Sequence, residues 1–401
     1  MLKSIPYTVY FLTISHMLIA FGYTMSYVFI PVYLFEVKHL SAGIVGSITG
    51  LATFFGLLGW LPASFLTQKM GEKLLMIVSF TIRSLNFFFL GWIIYFDLPY
   101  LSLIPFLLLN TFLMGISISP LESYILNITT KDNRNIAVSI HRTGMNIGWA
   151  FGPFVGGILA HINYALPFFG TFALTLFAVF LIQLTISSNF RNSKSYKISY
   201  NSFKTFFTQK KFLLFSLNSL NLFILMSLLI TPLSVFLTSH FQISKMDLGK
   251  LYLLNGLMVS FLQIPFSLWI KDLYFSVQAG LFLYFVGYFS VGFFSEFHHL
   301  ELIFLSMIII TIGEILSVSA VYTLASFFAK ENSELDDGTI NSYVSSFIGF
   351  IRSLGWSIGP IIAGWIQDFV QSPLMVWFLS SVFGIVGLIF YAIIFRLKIR
   401  S

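Results

Sequence analysis

Arg83, Glu122, Arg142, Glu314 and Arg352 lie well inside apolar stretches of a 401-residue chain in which 57% of residues are hydrophobic and 9% charged. Holding a charge in hydrocarbon costs about 2.5 kcal/mol or more, so each needs a partner, a water-filled cavity or a change of protonation. Glu122 and Arg142 are equally spaced on either side of Asp132, and an antiparallel helix pair would bring them to one depth as an ion pair. Arg83 reaches a similar depth and competes for Glu122. Helical phase turns Glu122 more than about 100° away from Asn110, Ser117 and Tyr124 on its own helix. These charges are therefore read either as a gating ion pair or as direct binders of substrate or proton. Glu314 shares nearly one face with Thr311 and Tyr322, and Arg352 follows the loop near Glu334 by the distance at which Glu314 precedes it. An acid at that depth can take up a proton and release it elsewhere, or sit in a fixed pair with Arg352. His16 in the first stretch either titrates in a cavity wall or packs through a hydrogen bond.

The elements that must position these side chains are membrane spans. Apolar windows predict twelve helices at roughly 7–36, 42–66, 74–96, 101–128, 136–160, 165–188, 212–238, 248–270, 274–295, 302–329, 340–366 and 374–395. The fold class is all-α, a polytopic membrane protein with two pseudo-symmetric six-helix bundles, 1–188 and 212–401, joined by a polar linker at 189–211. With the N-terminus inside, most Lys and Arg fall on the inner side, while the outer side holds Lys38, Lys245 and Lys250. The positive-inside rule then places both termini in the cytoplasm of a cell with this chain in its plasma membrane. The net charge of +7 is carried by that asymmetry and by the linker, whose basic and aromatic residues suit anionic lipid and not nucleic acid. There are no cysteines, so thiolate chemistry is excluded.

The chain is also a duplication. Gly148–Gly157 reads GWAFGPFVGG, and Gly355–Gly364 reads GWSIGPIIAG in the same register. Small residues at Gly148, Gly152 and Gly156, and at Gly355, Gly359 and Ala363, form a smooth stripe that lets another helix approach closely. Trp149, Pro153, Gly157, Trp356, Pro360 and Gly364 complete the two copies, which are expected to form close contacts between bundles. Ser15, Ser26 and Pro31 recur as Ser216, Ser227 and Pro232. Gly43 and Gly50 recur as Gly249 and Gly256, and Gly115 and Tyr124 as Gly313 and Tyr322. Arg142 and Arg352 are not counterparts, since Arg352 aligns with Met145. The charges are thus not a by-product of the duplication.

On these residues the chain resembles a twelve-helix major facilitator superfamily transporter. The family's loop signature, Gly-x-x-x-Asp-Arg/Lys-x-Gly-Arg-Arg/Lys, is met by Lys69, Gly71 and Lys73, with Ser64, Gln68 and Glu72 at its other positions. The fifth helix matches the antiporter motif Gly-x-x-x-Gly-Pro-x-x-Gly-Gly at Gly148, Gly152, Pro153, Gly156 and Gly157. The antiporter arginine of the fourth helix is replaced by Thr111, four residues before Gly115. The resemblance implies alternating access around a cavity lined by the first, fourth, seventh and tenth helices, and so brings the Glu314 stripe to that cavity.

The expected function is secondary transport of a small molecule, coupled to protons or another cation, by a monomer in a lipid bilayer. Efflux of an amphipathic compound is favoured by the fifth helix. Uptake of a polar metabolite such as a sugar, organic acid, amino acid or peptide is the alternative, favoured by the missing arginine. A passive channel or an embedded enzyme is the reading from another class. No phosphate-cradling loop, nucleophile elbow or metal-ligand cluster is present in the sequence, so neither cofactor nor metal is expected and the chain is read as no enzyme. His298 and His299 read as solvated loop residues. Tyr124, Trp149, Tyr322 and Trp356 offer an aromatic set for a lipophilic or cationic ligand, or serve as core.

Overall fold

Two prolines set the first visible break in the helices. The computed structural model describes residues 5–130, 133–186, 210–330 and 337–399. Within them α1 (Tyr7–Tyr27) gives way to α2 (Phe29–Glu36), and later α8 (Lys210–Leu228) gives way to α9 (Thr231–Phe241). Pro31 and Pro232 have no N–H to offer the carbonyls of Tyr27 and Leu228, the residues at which α1 and α8 end. The duplicated proline therefore kinks both spans at the same register.

The remaining helices are α3 (Ala42–Met70), α4 (Glu72–Tyr95), α5 (Leu103–Ile128), α6 (Arg134–Ile162), α7 (Leu166–Thr185), α10 (Lys245–Trp269), α11 (Leu273–Ser295), α12 (Leu300–Lys330), α13 (Asp337–Phe369) and α14 (Pro373–Ile399). Taken with the kinked pairs, twelve spans are long and apolar enough to cross a membrane. Helices satisfy their own backbone groups, which hydrocarbon cannot do for them. The twelve-helix, all-α expectation is met. The α3–α4 turn is built on Gly71 at φ +81°, a conformation that glycine adopts without strain. The linker at 189–211 falls almost wholly outside the described residues, as do Asp132 and Glu334.

The chain packs as two compact units. The first comprises Met1–His39, Leu51–Ser195 and Gln242–Ser260; the second comprises Leu40–Gly50, Tyr196–Phe241 and Phe261–Ser401. In the first unit, α6 lies along α1. A Cβ added at Gly148 would stand 2.5 Å from the Met17 carbonyl oxygen, and one at Gly156 would stand 2.1 Å from that of Met25. The stripe thus brings the backbones of α6 and α1 together inside one unit. The other face of the same motif is also occupied, with Gly249 and Gly256 of α10 set against Pro153 and Ala150.

The second unit repeats the plan with its own residues. Gly355 and Gly359 of α13 meet Phe223, Ile224 and Ser227 of α8, while Gly46 and Gly50 of α3 meet Pro360 and Ser357. Its core is aromatic: Trp377 stacks on Tyr288 at 5.4 Å, and the Tyr288 hydroxyl donates to the Leu225 carbonyl at 2.8 Å. The first unit contains an apolar cluster of Leu12, Ile19, Met76, Phe80, Leu121, Tyr124, Ile125 and Ile182.

Candidate functional site

Arg83 is buried, with 2% of its surface exposed, on the face of α4 that also buries Ser79, Phe80, Asn86 and Phe87. Its Nε donates to Oδ1 of Asn110 on α5 at 2.9 Å, and its guanidinium lies over the Tyr23 ring of α1 at 5.0 Å and the Phe87 ring at 5.7 Å. Its Nη2 is buried with no hydrogen-bond partner. Among the described residues the ion pairs are Lys38–Asp97 at 2.5 Å, Lys245–Glu36 at 3.1 Å and Lys250–Asp247 at 2.7 Å, so no carboxylate is paired with Arg83. The guanidinium is held by an amide and two aromatic faces. Cation–π contact with Tyr23 returns on the order of 1–2 kcal/mol of the burial cost.

His16 is the second component. Its Nδ1 stands 2.9 Å from Nε2 of His141 on α6, and the rings stack with centroids 4.8 Å apart. Both are buried, at 4% and 6% exposure, and Nδ1 of His141 is buried without a partner. Two imidazoles facing nitrogen to nitrogen must share one proton, so one ring donates and the other accepts. Arg83 is within electrostatic reach of His16, as Arg142 is of His141. Two helical turns along α1 from His16, Tyr23 stacks with Tyr27 at 4.8 Å and meets Trp149 edge-on at 5.9 Å. Tyr27 and Trp149 are half-buried, so this aromatic surface is the accessible side of the cluster. One buried cation, one shared proton and three aromatic rings lie close together.

The other expected residues are placed differently. Glu122 and Arg142 are both exposed and form no ion pair with each other; Glu314 and Arg352 likewise form none with each other, Glu314 being half-buried and Arg352 exposed. The physical reason is packing: α6 lies along α1 and α13 along α8, so equal depth about a loop does not bring neighbouring helices into side-chain reach. Glu314 is instead within electrostatic reach of Tyr284 on α11. Thr311 and Ser117 are fully buried and donate back to Met307 and Leu113 carbonyls of their own helices at 2.7 and 2.6 Å. Tyr124 belongs to the first unit's apolar core, away from any aromatic set with Trp149. Tyr322 is half-buried, as is Trp356, whose indole nitrogen has no partner.

Outside the spans, two groups carry shifted titrations. Lys38 holds the exposed Asp97 carboxyl below the usual carboxylate range. Burial and the neighbouring Glu36 carboxylate push the Tyr164 phenol up, and Tyr164 donates to that carboxylate while Lys245 lies over its ring at 4.8 Å.

Residues 12–351 match the sequence profile of the Major Facilitator Superfamily. The chain belongs to that superfamily. Relatives of this superfamily member include a probable nitrate transporter, NarT, of Staphylococcus epidermidis, 25% identical over 87% of this chain and 86% of its own. Multidrug resistance protein 1 of Bacillus subtilis is 24% identical over 82% of each chain. Among solved structures, a bacterial homologue of the human lysosomal transporter Spinster superposes with TM-score 0.79 at 16% identity, covering 97% of this chain and 96% of its own. A point mutant of the nucleoside transporter NupG gives 0.78 at 12% identity over 97% and 100%. At such identities the structures show a shared fold alone.

In this superfamily member the residue that sequence reasoning missed is His141. A signal existed: His141 lies three residues before Gly144, and a Cβ at Gly144 would meet the Thr13 side chain of α1 at 2.4 Å. His141 therefore continues the glycine face of α6 toward α1, where His16 waits.

Proposed function

We propose that the chain is a proton-coupled secondary transporter of a small amphipathic compound, working by alternating access as a monomer in the plasma membrane with both termini cytoplasmic. The observation that carries this reading is the hydrogen-bonded His16–His141 pair, buried between α1 and α6 within electrostatic reach of Arg83. Histidine is the side chain whose ordinary titration lies nearest neutral pH, so a buried pair of them suits the uptake and release of a proton. The accessible faces of Tyr27 and Trp149 supply an apolar and aromatic surface for the compound, and Asn110 and Arg83 supply polar groups.

Two directions have separate support. Export in exchange for protons is favoured by the antiporter motif from Gly148 to Gly157, by the half-buried Glu314, and by similarity to the Bacillus subtilis multidrug resistance protein. Uptake together with a proton is favoured by the unpaired cation Arg83 and by similarity to the probable nitrate transporter. Proteoliposomes loaded with a pH-sensitive dye test both. A substrate added outside acidifies the lumen if it enters with a proton and alkalinises it if it exchanges for one, and His16→Gln abolishes either response. A substrate flux with no lumenal pH change would contradict proton coupling.

A further inference from the structure

We propose that Arg83, Asn110 and Tyr23 form a recognition site for the anionic group of the transported compound, and that anion and proton travel together. This rests on the transport reading above and narrows its substrate class. Three features of Arg83 argue for it. First, a guanidinium has five N–H donors and cannot shed its proton in a protein. Here Nε is used by Asn110, and Nη2 is buried without a partner. Second, a buried cation is normally balanced by a carboxylate, and Arg83 has an amide in that place. Asn110 aligns the guanidinium at 2.9 Å without neutralising it. Third, Tyr23 covers one side of the guanidinium and stacks on Tyr27, so a planar anion bonded to the fork lies beside an aromatic surface. A carboxylate, sulfonate or other oxyanion carried on an apolar or aromatic body fits these groups.

The histidines then have a reason to stand where they do. His16 and Tyr23 are seven residues apart on α1, about 10 Å along the helix. Positive charge on Arg83 opposes a second positive charge on the imidazole pair, and an anion on Arg83 cancels that opposition. At about 10 Å and an effective dielectric near 20, the effect is on the order of tenfold in proton affinity. Linkage is reciprocal, so the proton strengthens anion binding by the same factor. The charged groups that bear on the pair are Arg83 from α4 and Arg142 from α6; α7, which also packs on α1, carries no titratable residue. Of the acids on these elements and the others packed nearby, Glu36 of α2 is held by Lys245 and Tyr164, Glu72 of α4 accepts from Ser123 and Asn127, and Glu122 of α5 is exposed. The formal charge that bears on the pair is positive, so an anion is the ligand that relieves it.

The test uses the purified full chain in lipid nanodiscs, with naphthalene-1-sulfonate as probe and naphthalene-1-sulfonamide as its neutral match. The expected result is at least tenfold tighter binding of the sulfonate than of the sulfonamide, a ratio that falls to near equality in Arg83→Gln. Asn110→Asp keeps the arginine and supplies an internal carboxylate, so it is expected to fold and to lose sulfonate preference as well. Preference retained in either variant, or absent from the wild type, overturns the proposal. Ethidium-driven proton flux in proteoliposomes, run alongside, separates the two claims. Proton-coupled flux without sulfonate preference leaves the transporter reading standing and removes the anion site. Arg83-dependent sulfonate binding with no flux of either probe does the reverse.

Discussion

The two units share a scaffold and differ in chemistry. Ser26 and Pro31 of the first have Ser227 and Pro232 in the second, and both units set a glycine stripe against a kinked helix. At the same offset, His16, Tyr23 and Tyr27 are matched by Leu217, Ile224 and Leu228, and in the motif register His141 is matched by Ile348. Among the described residues the polar groups buried in the second unit are neutral: Asn218 donates to the Gly387 carbonyl at 3.0 Å, Ser290 to Ser306 at 2.8 Å, and the buried atoms without a hydrogen-bond partner include Trp377 Nε1 and the Ser216 hydroxyl. The first unit, by contrast, leaves a donor of a charged group without a hydrogen-bond partner, Nη2 of Arg83. Duplication supplied a fold with two kinked, closely packed helix pairs, and the difference between copies isolates the residues that packing does not require. A charge that costs stability and has no duplicate is best explained by a ligand.

Five variants probe this contrast. The largest effect is expected at Gly156, where a side chain would meet the Met25 backbone; Gly156→Leu should cost more than about 3 kcal/mol and abolish a folded, monodisperse product on size-exclusion chromatography. Gly359→Ala in the second unit should cost less, because the nearest atom there is the Ser227 hydroxyl, which can rotate, and the nearest backbone atom, the Ile224 carbonyl oxygen, stands farther off at 2.9 Å. Next, Arg83→Met should stabilise the chain by about 2 kcal/mol in thermal unfolding while abolishing transport, since it removes an unpaired charge from the membrane core. A destabilised Arg83→Met protein would mean that the guanidinium is structural. Fourth, Tyr23→Ile copies Ile224 of the second unit and should weaken binding of naphthalene-1-sulfonate several-fold, by about 1 kcal/mol, with little change in thermal stability. The smallest effect belongs to Asp97→Asn. Lys38 lowers the Asp97 titration, so any stabilisation is present above the ordinary carboxylate range and fades as pH falls through it. Wild-type and Asp97→Asn melting curves should converge in acid and differ slightly at neutral pH.

Hydropathy made the twelve spans legible, and duplicated prolines marked the kinks, because both depend on local composition. Close helix approach was legible from glycine spacing, but not which helix approaches. The stripe of α6 meets α1 and its other face meets α10, and nothing in a single helix's periodicity selects a partner so distant in sequence. The same gap explains the site. Arg83 stands out as a charge in an apolar run, yet counting depth from a loop favours Glu122, whereas the fold supplies Asn110. His141 is hidden in the polar N-terminal half of α6 and gains meaning only when α1 brings His16 to 2.9 Å.

The most direct measurement is the proton change that accompanies binding, read by titration calorimetry of naphthalene-1-sulfonate into the full chain in buffers of different ionisation enthalpy near pH 7. Net proton uptake on binding is predicted for the wild type, absent in His16→Gln although the anion still binds. Proton release on binding would contradict the account and favour exchange.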